Sequence, residues 1–78
     1  MHVPKPYKPP SPEALRTVYI DDALIVADKP SGLLSVPGLG PEKAVCANSI
    51  LSQRHGPVLT VHRLDMDTSG LIIFARTK

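Results

Sequence analysis

Nine consecutive residues, His62-Arg63-Leu64-Asp65-Met66-Asp67-Thr68-Ser69-Gly70, form the densest group of reactive side chains in this 78-residue chain. Their types suit several chemistries, and spacing separates most of them. Asp65, Asp67, Ser69 and Gly70 fit positions 1, 3, 5 and 6 of an EF-hand calcium loop. The twelfth position, which needs a bidentate glutamate, is Arg76, and β-prone rather than helical segments flank the run. An aspartic protease half-site reads Asp-Thr-Gly or Asp-Ser-Gly, whereas Asp67-Thr68-Ser69-Gly70 is one residue too long, and only a dimer could supply the second carboxylate. A glycosidase pair must stand about 5 Å or about 6.5–9.5 Å apart across a sugar. Asp65 and Asp67, two positions apart in an extended segment, would share one face and could not flank a substrate. No nucleophile-elbow motif supports a Ser/His/Asp triad. What remains is Asp65, preceded by His62 and Arg63. A nearby guanidinium favours the ionised carboxylate, which suits a nucleophile or an electrostatic stabiliser. The same residues also allow a structural reading, an Arg63–Asp65 ion pair that pins a loop. Spacing leaves both open.

A loop of this kind needs rigid elements on either side. Val58-Leu59-Thr60-Val61 reads as a short strand before it, and Leu71-Ile72-Ile73-Phe74-Ala75 as a strand after it. The all-apolar character of 71–75 suggests a strand buried on both faces, and seventy-eight residues can hardly cover both. Upstream, Thr17-Val18-Tyr19-Ile20 and Leu24-Ile25-Val26-Ala27 flank Asp21-Asp22-Ala23 and predict a hairpin. Lys29-Pro30-Ser31-Gly32 reads as a turn, with glycine free to take a positive φ, and Leu33–Val36 continues extended to Pro37-Gly38. One helix is predicted over 41–55. Pro41 opens it, Glu42 complements its dipole, Gly56-Pro57 ends it, and Ala44, Ala47, Ile50 and Leu51 form its apolar stripe. Cys46 falls on that helix as a small semi-buried filler. Residues 1–16, with five prolines between positions 4 and 12, read as an extended arm. They are either an untethered terminus or a basic contact for RNA phosphates or a proline-binding partner.

Composition narrows the class. A hydrophobic share of 42% indicates a globular chain. The longest apolar runs, 23–27 and 71–75, are far too short to span a membrane, and the proline-rich start lacks a signal-peptide core. A single thiol and no export signal favour the cytoplasm. One cysteine and three scattered histidines cannot build a structural zinc site. The net charge of +2 comes entirely from residues 1–16, so any case for nucleic acid must rest on a local site. A chain of this length has little core to offset the cost of ordering it. It stops just after a buried-looking strand. The expectation is the opening piece of a longer α+β domain, poorly folded and inactive alone.

Two of these stretches carry a resemblance. His62-Arg63-Leu64-Asp65 followed by Thr68-Ser69-Gly70-Leu71 resembles the signature loop of the RluA-type pseudouridine synthases. Lys29-Pro30-Ser31-Gly32 resembles that family's Lys-Pro-x-Gly turn. Its continuation, Leu33-Leu34-Ser35-Val36-Pro37-Gly38, is similar to the branch that modifies both large-subunit ribosomal RNA and tRNA. The resemblance spans 17–78, with the hairpin before and the helix between. It implies an α+β fold, the N-terminal portion of a catalytic domain with a mixed or antiparallel sheet and the helix 41–55. It also implies an isomerase that turns uridine in RNA into pseudouridine, with Asp65 as the essential carboxylate. Arg63 would hold the position of the flipped base. No cofactor or metal is implied, because the uracil is both leaving group and incoming group; RNA is the implied partner. The family's catalytic domain runs to some two hundred residues or more. Its uracil-stacking tyrosine and the basic residue paired with the aspartate lie beyond this sequence. The competing reading is a non-catalytic RNA-binding or interaction remnant that keeps the loop for structure.

Overall fold

The computed structural model describes residues 7–38 and 44–76. Strand β1 (Arg16–Ile20) and strand β2 (Leu24–Lys29) pair antiparallel as the expected hairpin. Asp21 shapes its turn: the carboxylate accepts the N–H groups of Ala23 and Leu24 at 2.8 and 2.9 Å, and the Tyr19 hydroxyl donates to it at 2.8 Å. Thr17 faces Ala27 while Tyr19 faces Val26, so Val18 is an extra residue in a β-bulge.

Helix α1 (Ala47–His55), strand β3 (Leu59–Thr60) and strand β4 (Gly70–Ala75) complete the fold. The sheet order is β1-β2-β4-β3, antiparallel throughout. This is the α+β arrangement that the sequence implies. Alternation along the strands places Ile25 and Ala27 of β2 beside Ile72 and Phe74 of β4, all fully buried. Ala47, Ile50 and Leu51 of α1 join them in the core, together with Leu15, Leu33 and Val58.

Three sequence expectations need correction. The helix starts at Ala47 rather than Pro41; residues 39–43, including Pro41 and Glu42, lie outside the described residues, and Ala44 and Val45 are exposed and non-helical. Cys46 is the N-cap, fully buried. Its sulfur accepts the Ser49 N–H, and the Ser49 hydroxyl accepts the Cys46 N–H, a reciprocal cap that the apolar stripe alone could not reveal. Leu33–Val36 is a bent segment, not a strand. Strand β4, as expected of so short a chain, is covered on one face only: Ile72 and Phe74 are fully buried, while Leu71 remains 59% and Ile73 41% exposed.

The described part of the proline-rich segment is held down. The Tyr7 hydroxyl donates to the Val45 carbonyl at 2.7 Å and accepts the Leu34 N–H at 3.1 Å. The Arg54 guanidinium donates to the carbonyls of Leu15 and Pro12, both at 2.7 Å. Residues 1–6 lie outside the described residues.

The open face of β4 should make the isolated chain associate. Leu71→Thr combined with Ile73→Thr should shift it toward monomer in sedimentation velocity with its circular dichroism unchanged. Ile72→Thr, on the covered face, should instead unfold it. Equal association of the double variant and the parent would show that this face is not the cause.

Candidate active site

Asp65 sits in the connection between β3 and β4. Its carbonyl accepts the Thr68 N–H at 3.0 Å, so residues 65–68 form a tight turn within the polar loop that the sequence predicts. Aspartate is favoured at the first position of such a turn. The Asp65, Asp67 and Arg63 side chains are all exposed, and no hydrogen bond joins Arg63 to Asp65. Both groups are open to a substrate.

The backbone of this loop is far less free than its side chains. Beneath it lies the turn Lys29–Gly32, where Gly32 takes φ +92°, a conformation that suits glycine. The Gly32 N–H donates to the Met66 carbonyl at 2.8 Å, and the Ser31 hydroxyl donates to the Asp67 carbonyl at 2.9 Å. The Ser35 hydroxyl bonds both backbone groups of Leu64. On the β4 side, the Ile73 N–H donates to His62 Nε2 at 2.9 Å. The two motifs that the sequence shows more than thirty positions apart therefore meet as floor and loop of one site.

Lys29 is the centre of that meeting. Its side chain is fully buried, and Nζ donates to the carbonyls of Leu33 at 2.6 Å, Met66 at 3.0 Å and Pro30 at 3.1 Å. Three donors meet three acceptors, which uses the whole hydrogen-bonding capacity of an ammonium. Burial pushes the Lys29 pKa down from its ordinary value, while the negative charges of Asp67 and Asp65 act to raise it. In the sequence Lys29 stands out only as part of a turn motif. A signal was available: Ile25, Ala27 and Lys29 share one face of β2 by strand alternation, so a core-facing lysine was implied.

Segments 34–36 and 63–66 border an open pocket of about 180 Å³ that has Asp65 and Arg63 on one side and Ser35 on the other. Among the described residues, no group of three or more His, Cys, Asp or Glu side chains could hold a metal ion. No described helix is long and apolar enough to cross a membrane.

The family model for RNA pseudouridylate synthases matches residues 23–78, which takes in both the Lys29–Gly32 turn and the Asp65 loop. The chain belongs to the RNA pseudouridylate synthase family. It is similar to enzymes named dual-specificity RNA pseudouridine synthase RluA. Identity is 49% with the Pasteurella multocida protein and 44% with those of Vibrio vulnificus and Escherichia coli K12, in each case over 92% of this chain. The match covers 33%, 29% and 33% of those relatives, so the chain spans about a third of their length. Within the family framework, the pair of motifs is one physical unit joined by a buried charge.

Lys29→Met removes the ammonium at nearly constant volume and takes its hydrogen bonds from the Pro30 and Leu33 carbonyls, while the Met66 carbonyl keeps only the Gly32 N–H. The cost should be about 2 kcal/mol or more of stability. Urea unfolding would measure it, and amide exchange should rise first in residues 64–68. An unchanged midpoint with unchanged exchange in that loop would contradict the clamp.

Proposed function

We propose that this chain carries the catalytic-aspartate segment of an RNA pseudouridine synthase, with residues 17–78 as the N-terminal portion of the catalytic domain and residues 1–16 as an arm before it. The substrate is uridine within ribosomal or transfer RNA, the setting is the cytoplasm, and no cofactor takes part. The observation that carries the reading is an exposed Asp65 carboxylate on a loop whose backbone is clamped from below and from one side. A carboxylate held in this way serves as a preorganised reactant rather than a mobile surface charge.

The chemistry asks for one ionised carboxylate. Asp65 either attacks C1′ of the ribose or removes a proton from C2′. In both routes the C1′–N1 bond breaks and the uracil leaves with the electron pair. The base turns within the site and C5 bonds to C1′, displacing the Asp65 carboxylate in the first route or adding to the glycal as C2′ takes its proton back in the second; the C5 proton is then lost and N1 gains one. Atoms and electrons balance without an added reactant. Arg63, two residues before Asp65 and also exposed, holds the place vacated by the flipped base. Its planar fork suits phosphate and base edges.

These roles are tested in a polypeptide that joins this segment to the remaining two-thirds of the family's length. Loss of tritium from C5 of uridine in RNA reports turnover, since that hydrogen must leave. Asp65→Asn should abolish release while RNA binding persists, and Asp67→Asn should be much milder. Appreciable turnover by Asp65→Asn would remove that residue from the mechanism. RNA binding by the parent without any release would favour the non-catalytic module.

Arg63→Lys keeps the charge but not the fork. The rate should fall on the order of 10–100-fold, the cost of a lost bidentate contact of about 1–3 kcal/mol. A pH–rate profile then separates a holding role from an effect on Asp65 ionisation: a uniform drop indicates holding, a displaced acid limb indicates ionisation. Rates equal to the parent's at every pH would mean that Arg63 has neither role.

A further inference from the structure

We propose that Ser35 is a positioning residue for Asp65, a single buried hydroxyl that fixes the backbone just before the carboxylate and so sets its direction. The proposal rests on the reading of Asp65 given above. Ser35 is 3% exposed. Its Oγ donates to the Leu64 carbonyl at 2.7 Å and accepts the Leu64 N–H at 3.0 Å. In extended backbone, the N–H and C=O of one residue point to the same side. A neighbouring strand would normally satisfy both. No strand lies there, since Leu33–Val36 is bent, and the hydroxyl takes the place of the ladder.

The hydroxyl is itself held. The Ser35 carbonyl accepts the Asn48 N–H at 3.1 Å, and the Leu34 carbonyl accepts the Ala47 N–H at 2.7 Å. These amides belong to the first turn of α1, where no intrahelical acceptor exists. Helix α1 in turn packs Ala47 and Leu51, both fully buried, into the core. A continuous path of short hydrogen bonds therefore runs from the helix through Ser35 to Leu64, and by one peptide bond to Asp65. Lys29 holds the loop from below at Met66; Ser35 holds it from the side at Leu64. With both neighbours fixed, the Cα–Cβ vector of Asp65 has little freedom.

Only a hydroxyl of this reach can act in this way. Alanine leaves two half-buried backbone groups of Leu64 without this partner, and a thiol is a weak partner with longer bonds. Threonine keeps the hydroxyl. The test uses the same complete polypeptide, this segment joined to the remainder of the Pasteurella multocida relative. Leu64 amide exchange, single-turnover rate and RNA affinity are read on each variant. Ser35→Ala should speed exchange at Leu64 and lower the maximal rate on the order of 100-fold, the cost of misplacing a reactant by about 1 Å, with RNA affinity unchanged. Ser35→Thr should restore both exchange protection and rate. If Ser35→Ala fails to fold, Ser35→Cys, which keeps the shape but weakens both bonds, should show the same loss in smaller measure. Leu64 protection equal to the parent's in the alanine or cysteine variant would overturn the clamp. Lost protection with a full rate would overturn the positioning role. A parent that binds RNA but forms no pseudouridine would defeat the functional reading and the positioning role with it, while Leu64 exchange would still report the clamp by itself.

Discussion

A lysine ammonium with no solvent exposure must find its hydrogen-bond partners inside the protein or give up its charge. Lys29 finds three, and they come from two segments: Pro30 and Leu33 just after it, and Met66 in the loop between β3 and β4. Much of the local geometry follows from this one requirement. The strand register of β2 puts Lys29 on the core face. The chain must then turn back at once to bring two carbonyls within reach, which the positive φ of Gly32 allows. The third carbonyl is presented by the turn 65–68, which places Asp65 at its first position. The loop is shaped by what lies beneath it, not by its own sequence alone.

The site shows a division of labour between backbone and side chain. Carbonyls and amides of residues 64, 66 and 67 are tied to Ser35, Lys29, Gly32 and Ser31, whereas Arg63, Asp65 and Asp67 project to solvent. An exposed carboxylate on a fixed backbone keeps its reactivity and loses little entropy on meeting substrate. Burial pushes the Lys29 pKa down, and the charges of Asp67 and Asp65 offset part of that cost. Floor and loop are thus electrostatically as well as geometrically matched.

Much of this was legible in the sequence because strands and motifs are local. The hairpin around Asp21, the strand pair flanking 61–69 and the helix end at Gly56 all follow from residue type and period. What escaped depends on partners distant in sequence. The helix start is set by Cys46, Ser49 and the waiting carbonyls of Leu34 and Ser35, none of which an apolar stripe reports. Tyr7 and Arg54 tie down a segment whose composition suggests only an extended arm. Which face of the apolar strand 71–75 is covered, that of Ile72 and Phe74, is decided by where α1 packs. Asp65 stood out by elimination and resemblance. Lys29 and Ser35, which hold the loop that carries it, look like ordinary turn residues until the register of β2 and the path of the loop are known.

The central claim is that the Lys29 ammonium is a fixed three-point donor joining the turn 29–32 to the Asp65 loop. Nuclear magnetic resonance of the lysine side-chain ammonium tests it most directly, through its hydrogen exchange and through scalar couplings across hydrogen bonds to carbonyl carbons. A slowly exchanging Lys29 ammonium with couplings to the carbonyls of Pro30, Leu33 and Met66 is the expected result. A Lys29 ammonium that exchanges as fast as those of surface lysines, with no coupling to Met66, would contradict it.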